Sequence, residues 1–163
     1  MRRIAGAALI AFLTAACGAK SPPAALSKAA DVVAAPRVVS AAAVHQEIGS
    51  GRPVVLLFMA TGCESCAAEA KSLAAALSGR GDVHAFGVDM AGSDDTATLR
   101  SFLADVGVGS LPIGWTVDTG NAFAQRYGIK ALSATVGLAD GRVRFVNQAG
   151  VPGSMLRRQI AGL

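Results

Sequence analysis

Two cysteines three positions apart, Cys63 and Cys66, stand between an unbroken apolar run and an alanine-rich segment. The run, residues 54–59 (VVLLFM), is typical of a strand that is buried on both faces. The segment after the cysteines has the apolar spacing of a helix, with Glu69 predicted to face water. The sequence therefore predicts a pair of thiols at the junction of a buried strand and a helix.

Strands and helices alternate along the rest of the chain, which ends in a hairpin and a helix. Asp94 and Asp95 precede one helical segment and are predicted to cap it. This order of elements predicts an α/β sandwich. The predicted elements are a strand near 38–39, helix 41–49, strand 83–89, helix 96–106, strand 113–118, helix 121–128, strands 133–138 and 142–147 around an ADG turn, and helix 152–160.

The predicted position of Cys63 at a helix N-terminus favours its thiolate, because the helix dipole and the free N–H groups there stabilise negative charge. A thiolate attacks disulfides, and Cys66, one turn later, is placed to attack the resulting mixed disulfide. Glu64 and Ser65, between the cysteines, are the candidate residues that tune this couple. The charge of Glu64 opposes the stabilisation of the thiolate, which favours a reducing couple.

The N-terminus predicts export. Residues 1–16 combine two arginines with a short apolar stretch, as in a secretory signal peptide, and are too short to span a bilayer. The following LTAAC resembles the lipobox of bacterial lipoproteins, which implies that Cys17 is acylated and anchors the mature protein to the membrane. The alternative is ordinary cleavage, which leaves Cys17 as a stray thiol. Lipidation accounts for the odd number of three cysteines, and an oxidising compartment then favours disulfide chemistry at the remaining pair.

Composition divides the mature chain into a tether and one domain. Residues 17–36, rich in Ala, Pro, Ser and Lys, predict a flexible tether, and residues 37–163 are long enough for a single domain with its own core. Loss of Arg2 and Arg3 with the signal peptide lowers the formal charge from +4 to +2. This small charge argues against a nucleic-acid partner.

Residues 51–73 (GRPVVLLFMATGCESCAAEAKSL) resemble the thioredoxin superfamily, and within it the membrane-tethered TlpA/ResA-like thiol-disulfide oxidoreductases. The family pattern is G-[KR]-P-V-[VL]-[VL]-x-F-W-A-[ST]-W-C-x-x-C, and FAQRYGI and LADGRV are similar to two later family motifs. The resemblance implies that residues 37–163 form a thioredoxin-like three-layer α/β/α sandwich, with a central mixed sheet and an inserted strand and helix.

The same resemblance implies an activity and its partners. It implies reduction of disulfides in exported proteins, including apocytochromes that await haem, on the extracytoplasmic face of a bacterial membrane. Electrons would come from a membrane protein of the DsbD/CcdA kind. The redox-active disulfide between Cys63 and Cys66 would carry the electrons, and no further cofactor would be needed.

Two departures from the family bear on the site. Leu57 stands where thioredoxins carry a buried acid that assists proton transfer at the resolving cysteine. Ser133 stands where the family has a cis-proline facing the cysteines, so that Leu132 and Ser133 form the predicted substrate-facing loop. In a competing register, Pro112 is the equivalent of that proline.

Other interpretations of the cysteine pair remain open. A structural disulfide is one of them, although a loop of three residues constrains the unfolded chain little. A zinc site lacks a second pair of ligands, and the two histidines, His45 and His84, fall in a peripheral helix and a core strand. The main alternative is a non-catalytic module that uses Cys63 and Cys66 to bind copper(I) or a partner protein, since thiolates are soft ligands.

Overall fold

The computed structural model describes residues 35–163. The predicted signal peptide (1–16), the lipidation site Cys17 and all but the end of the tether therefore lie outside the described residues. A short 3₁₀ turn spans Thr119–Asn121. The helices and strands, in chain order, are α1 (Ala41–Gly49), β1 (Val54–Met59), α2 (Glu64–Ala76), β2 (His84–Asp89), α3 (Thr96–Asp105), β3 (Gly114–Val117), α4 (Ala122–Tyr127), β4 (Thr135–Ala139), β5 (Arg142–Asn147) and α5 (Gly153–Ala161).

The five strands form one mixed sheet in the order β3-β2-β1-β4-β5. Strands β1, β2 and β3 are parallel, while β4 is antiparallel to β1 and β5 is antiparallel to β4. The central strand β1 is buried along its whole length, as its unbroken apolar run predicts. Its carboxyl end leads directly to the two cysteines.

Helices cover both faces of the sheet. On one face, α2, α3 and α5 pack over alternate residues of β1, including Leu57 and Met59, in a cluster that contains Cys66. On the other face, α1 and α4 pack over the remaining residues of β1, such as Phe58. The two clusters make the molecule a three-layer α/β/α sandwich.

This architecture confirms the predicted fold class. The ADG turn is a tight hairpin in which Asp140 and Gly141 both have positive φ, and Ala139 pairs with Arg142 beside them. The strand predicted near residues 38–39 is instead a single bridge between Val38 and Trp115. Among the helices of residues 35–163, none has the length and apolar character that a membrane span requires.

Candidate active site

A tight turn carries the chain from β1 to the first cysteine. Gly62 adopts a φ of +80° in this turn, a conformation that costs glycine little. The N–H of Cys63 donates a hydrogen bond to the carbonyl of Ala60 at 3.2 Å. The turn thus presents Cys63 at the carboxyl end of the central strand.

Cys63 is the N-cap residue of α2, as its position in the sequence predicts. Its Sγ accepts a hydrogen bond from the N–H of Cys66 at 3.3 Å and is bonded to the Sγ of Cys66 in a disulfide. Cys63 is partly exposed, whereas Cys66 is only 1% exposed. Only Cys63 is therefore accessible to another protein, and the helix N-terminus favours its thiolate when the disulfide is reduced.

The two residues between the cysteines are exposed. Glu64 lies in the first turn of α2, next to Cys63, and the Oγ of Ser65 lies 3.4 Å from the Sγ of Cys63. Both residues thus lie next to the accessible thiol rather than the buried one.

The loop before β4 faces the disulfide from the other side. Its Ser133 places Oγ at 3.6 Å from the Sγ of Cys66, and the neighbouring Leu132 is 40% exposed. The N–H of Ser133 donates to the carbonyl of Phe58 at 2.8 Å, and the N–H of Phe58 donates to the carbonyl of Ala134 at 2.9 Å. These two bonds attach the loop to β1 beside the cysteines.

Pro112, the competing equivalent of the family's proline, lies elsewhere. It lines a surface groove before β3 together with Leu77 and Arg80 at the other end of α2. At 1.5 Å per residue, that end is roughly 20 Å from Cys63 along the helix axis. The residue opposite the disulfide is therefore Ser133.

An acidic pair lies beside the turn that carries Cys63. The hydroxyl of Thr61 donates a hydrogen bond to the carboxylate of Asp94, and Asp89 lies next to Asp94 at the end of β2. The prediction that Asp94 caps α3 is wrong. Asp95 alone is the N-cap, with its Oδ1 accepting the N–H groups of Ala97 and Thr98. Asp94 was misassigned because its partner is 33 residues away in the sequence.

The carboxyl group of Asp89 is completely buried. Its Oδ1 accepts the N–H of Ala91 at 3.1 Å, while its Oδ2 has no partner among the described residues. Burial, with a smaller contribution from Asp94, raises the pKa of Asp89 to about 6. Sequence analysis missed Asp89, although the sequence contained a signal for it. Asp89 ends β2, the strand that is parallel to β1 and next to it, and β1 leads to the cysteines.

Glu69, predicted to face water, is in fact partly buried. Its carboxylate lies against Gly150, in the segment between β5 and α5. Burial raises the pKa of Glu69 above its usual range. Helical periodicity could not reveal this contact, because the covering segment comes from about 80 residues later in the chain.

The two histidines lie away from the cysteines. His84 begins β2 at the opposite end of the sheet, with its Nδ1 3.0 Å from Glu47, and His45 stacks on the ring of Phe123. Within residues 35–163, no three side chains of the His, Cys, Asp or Glu type converge in a way that could hold a metal ion. Any metal at this site would therefore depend on the two thiolates.

Solved structures with the same fold include a secreted disulfide oxidoreductase and an exposed lipoprotein thioredoxin. A secreted disulfide oxidoreductase of Mycobacterium tuberculosis is 24% identical, with a TM-score of 0.56 over 69% of this chain and 83% of the other. StoA of Bacillus subtilis is 15% identical, with a TM-score of 0.56 over 67% and 82%. The exposed lipoprotein thioredoxin Etrx1 of Streptococcus pneumoniae is 16% identical, with a TM-score of 0.59 over 72% and 89%. At these identities the likeness establishes a thioredoxin-like fold.

At the level of sequence, no protein-family model matches the chain. A protein named "Mercury resistance operon ORF3" from Streptomyces lividans is 36% identical over 99 residues, which are 58% of this chain and 51% of that protein. The chain thus spans about half the length of the curated relative that it matches.

Proposed function

We propose that this protein is an extracytoplasmic thiol-disulfide oxidoreductase that reduces disulfides in exported proteins. The observation that carries the proposal is the asymmetry of the disulfide: the sulfur of Cys63 is accessible at a helix N-terminus, while that of Cys66 is buried behind it. An exchange enzyme needs one thiol that reaches the client and a second that the client cannot reach.

The proposed reaction has two steps. The thiolate of Cys63 attacks a client disulfide, forms a mixed disulfide and releases one client thiol. Cys66 then loses its proton and attacks the sulfur of Cys63, which forms the Cys63–Cys66 disulfide and releases the second client thiol. The client gains two electrons and two protons, and a membrane-embedded donor of the DsbD/CcdA type restores the dithiol.

Location and clients belong to the same proposal. The fold shared with a secreted oxidoreductase and an exposed lipoprotein thioredoxin supports an extracytoplasmic site of action. The signal-like N-terminus and Cys17 support attachment to the membrane through a lipid. Apocytochromes c are the client class that the sequence resemblance favours.

Trapping of clients tests the proposal. A Cys66→Ala variant retains the attacking thiol but cannot resolve the mixed disulfide, so it should accumulate covalent adducts with exported proteins that dithiothreitol releases. The matched Cys63→Ala variant, in which the remaining thiol is buried, should trap few or none. Equal trapping by both variants, or trapping by neither, would refute the exchange mechanism.

The reduction potential tests the direction of electron flow. In a chain that carries Cys17→Ser, a couple at or below about −250 mV would place the protein among thioredoxin-like reductants. A potential near about −120 mV would instead make it an oxidant. The second value would overturn the assignment as a reductase and leave the exchange mechanism intact.

One observation favours a second candidate function. The relative from Streptomyces lividans is named for a mercury resistance operon, and the reduced pair Cys63 and Cys66 offers two soft thiolates. The second candidate is therefore a binding module for a soft, two-coordinate ion such as copper(I) or mercury(II). Tight one-to-one binding that survives millimolar glutathione and disappears in the Cys63→Ser/Cys66→Ser variant, together with no trapped clients, would favour it.

A further inference from the structure

The buried thiol of Cys66 poses a problem that the proposed exchange reaction must solve. Cys66 is 1% exposed, and burial disfavours the thiolate that resolution of a mixed disulfide requires. The residue at the position of the thioredoxins' buried acid is Leu57, which is completely buried and carries no proton acceptor. Either another group or water must therefore take over this role at Cys66.

The hydroxyl of Ser133 is the group in contact with this sulfur. Its Oγ lies 3.6 Å from the Sγ of Cys66, and among the described residues it is the only side chain within hydrogen-bonding distance of that sulfur besides the disulfide partner. A serine hydroxyl can donate its proton to a thiolate, since its O–H rotates to suit its partner. A proline at this position would offer no donor.

The backbone holds Ser133 in a conformation that serine rarely adopts. Its φ is +62°, in the left-handed region, and its N–H is bonded to the carbonyl of Phe58 at 2.8 Å. Such a conformation is unfavourable for a non-glycine residue and persists where the surrounding structure enforces it, often at functional sites. Glycine would remove the strain, but it would also remove the hydroxyl.

We infer that Ser133 is a catalytic residue whose hydroxyl donates a hydrogen bond to the thiolate of Cys66 and so makes the buried cysteine an effective resolving nucleophile. This inference rests on the proposed exchange activity. In the resolution step, the proton of Cys66 passes to the departing client thiolate through solvent, and a sulfur–sulfur bond forms between Cys66 and Cys63 as the bond from Cys63 to the client breaks. Ser133 keeps its own proton throughout and is neither oxidised nor reduced.

Two variants separate the hydroxyl from the backbone strain. Ser133→Ala removes the hydroxyl and keeps the strained φ, whereas Ser133→Gly removes both. A hydrogen bond to a charged group stabilises that group more than a bond to a neutral one does, although this contact to sulfur is long. We therefore expect each variant to raise the pKa of Cys66 by about one unit, which lowers the thiolate fraction about tenfold below that pKa.

Two measurements read out this effect. The pKa of Cys66 is followed through the ¹³Cβ chemical shift of the reduced thiol in a Cys63→Ser background. Separately, the reduced protein with Cys17→Ser is mixed with Ellman's reagent, which releases one coloured thiolate when Cys63 attacks and a second when Cys66 resolves. In both Ser133 variants the rate of the second release, relative to the first, should fall about threefold, because the higher intrinsic nucleophilicity of a more basic thiolate offsets part of the tenfold loss of thiolate.

Ser65→Ala is the matched comparison, because it removes a hydroxyl from beside the other sulfur. The Oγ of Ser65 lies 3.4 Å from the Sγ of Cys63, so this variant should alter the first release rather than the pKa of Cys66. If Ser133→Ala does not fold, Ser133→Gly still tests the inference, since glycine adopts positive φ without steric cost.

Each outcome decides the inference. Equal effects of the Ala and Gly substitutions on the pKa of Cys66 support it. An unchanged pKa in both variants, or a change in Ser133→Ala that is absent in Ser133→Gly, overturns it. If the pKa shifts as expected but neither coloured release nor client trapping occurs, the hydrogen bond stands and the proposed exchange function fails.

Discussion

The carboxylate of Glu69 occupies the space that a side chain at residue 150 would need, so Gly150 allows α2 and the segment before α5 to pack closely. Glu69 lies three residues after Cys66 on α2, in the next turn of the helix. Because the segment covers it, burial raises the pKa of Glu69. The glycine is therefore part of the environment that sets the charge of an acid near the cysteines.

Gly150→Ala should lower the pKa of Glu69 toward its usual range. The added methyl group would displace the flexible end of the glutamate into water, where its charged form is better solvated. Because only this side-chain end must move, the free energy of unfolding should change by no more than about 1 kcal/mol. NMR titration of the Glu69 carboxyl carbon measures the pKa, and a pKa that stays raised in the variant would show that another contact buries the group.

Asp89→Asn should remove a pH dependence of stability. Burial raises the pKa of Asp89 from its usual 3.8 to about 6, so the folded protein favours the protonated carboxyl. The stabilisation is complete below about pH 4 and is lost as the pH rises through 6, at a cost of up to about 3 kcal/mol. Asparagine cannot ionise, so the variant should be more stable than the parent protein at pH 7 and lose this advantage at pH 4.

Urea unfolding at pH 4, 5, 6 and 7 measures this difference. Asp95→Asn is the control with the opposite sign, because the N–H groups that this helix-capping carboxylate accepts lower its pKa. The contribution of Asp95 to stability is present above about pH 4 and is lost only below it, so the difference between Asp95→Asn and the parent protein should stay nearly constant from pH 4 to pH 7. If the difference in the free energy of unfolding between Asp89→Asn and the parent protein does not change between pH 4 and pH 7, the pKa of Asp89 is not raised.

Local patterns predicted the fold and the cysteines correctly. The apolar run of β1 matches the strand residue for residue, since a strand in the middle of a sheet has no polar face. Cys63 was placed correctly at the helix N-terminus, because the chain must turn between the strand and the alanine-rich segment. Both strand β1 and the position of Cys63 are determined by residues that lie close together in the sequence.

The residues that were misassigned or missed depend on distant parts of the chain. Asp94 was predicted to cap α3 but bonds Thr61, and Glu69 was predicted to face water but is covered from near Gly150. The burial of Asp89 could be predicted only from the order of the strands in the sheet. The contact of Ser133 with the disulfide follows from the antiparallel pairing of β4 with β1, and alignment with the family suggested its place but not its hydrogen bond.

Gly87→Ala should destabilise the protein strongly. A Cβ at this position of β2 would overlap the completely buried ring of Trp115 on the adjacent strand β3. A rigid ring in a close-packed core cannot move aside cheaply, and overpacking of this kind costs about 1–3 kcal/mol or more. Thermal unfolding followed by tryptophan fluorescence reports both the stability and the displacement of the ring.

Gly92→Ala is the matched control for this substitution, because a Cβ there meets no atom within 4 Å. Its unfolding temperature should stay close to that of the parent protein. If the two variants unfold at the same temperature, the close approach of Gly87 to Trp115 does not limit the packing of β2 against β3.

Glu64→Gln should raise the reduction potential of the Cys63–Cys66 couple. The exposed carboxylate lies in the first turn of α2 beside Cys63, where it opposes the stabilisation that the helix dipole gives to the thiolate. Removing the charge should favour the reduced form by about 0.5 kcal/mol, which corresponds to about 10 mV for a two-electron couple.

Ser65→Ala should shift the potential in the opposite direction, since it removes the hydroxyl 3.4 Å from the same sulfur. Equilibration with glutathione at low and high salt measures both shifts. The Glu64 effect should shrink as salt screens the charge, and a fall in potential on Glu64→Gln would mean that this carboxylate does not act on the thiolate of Cys63.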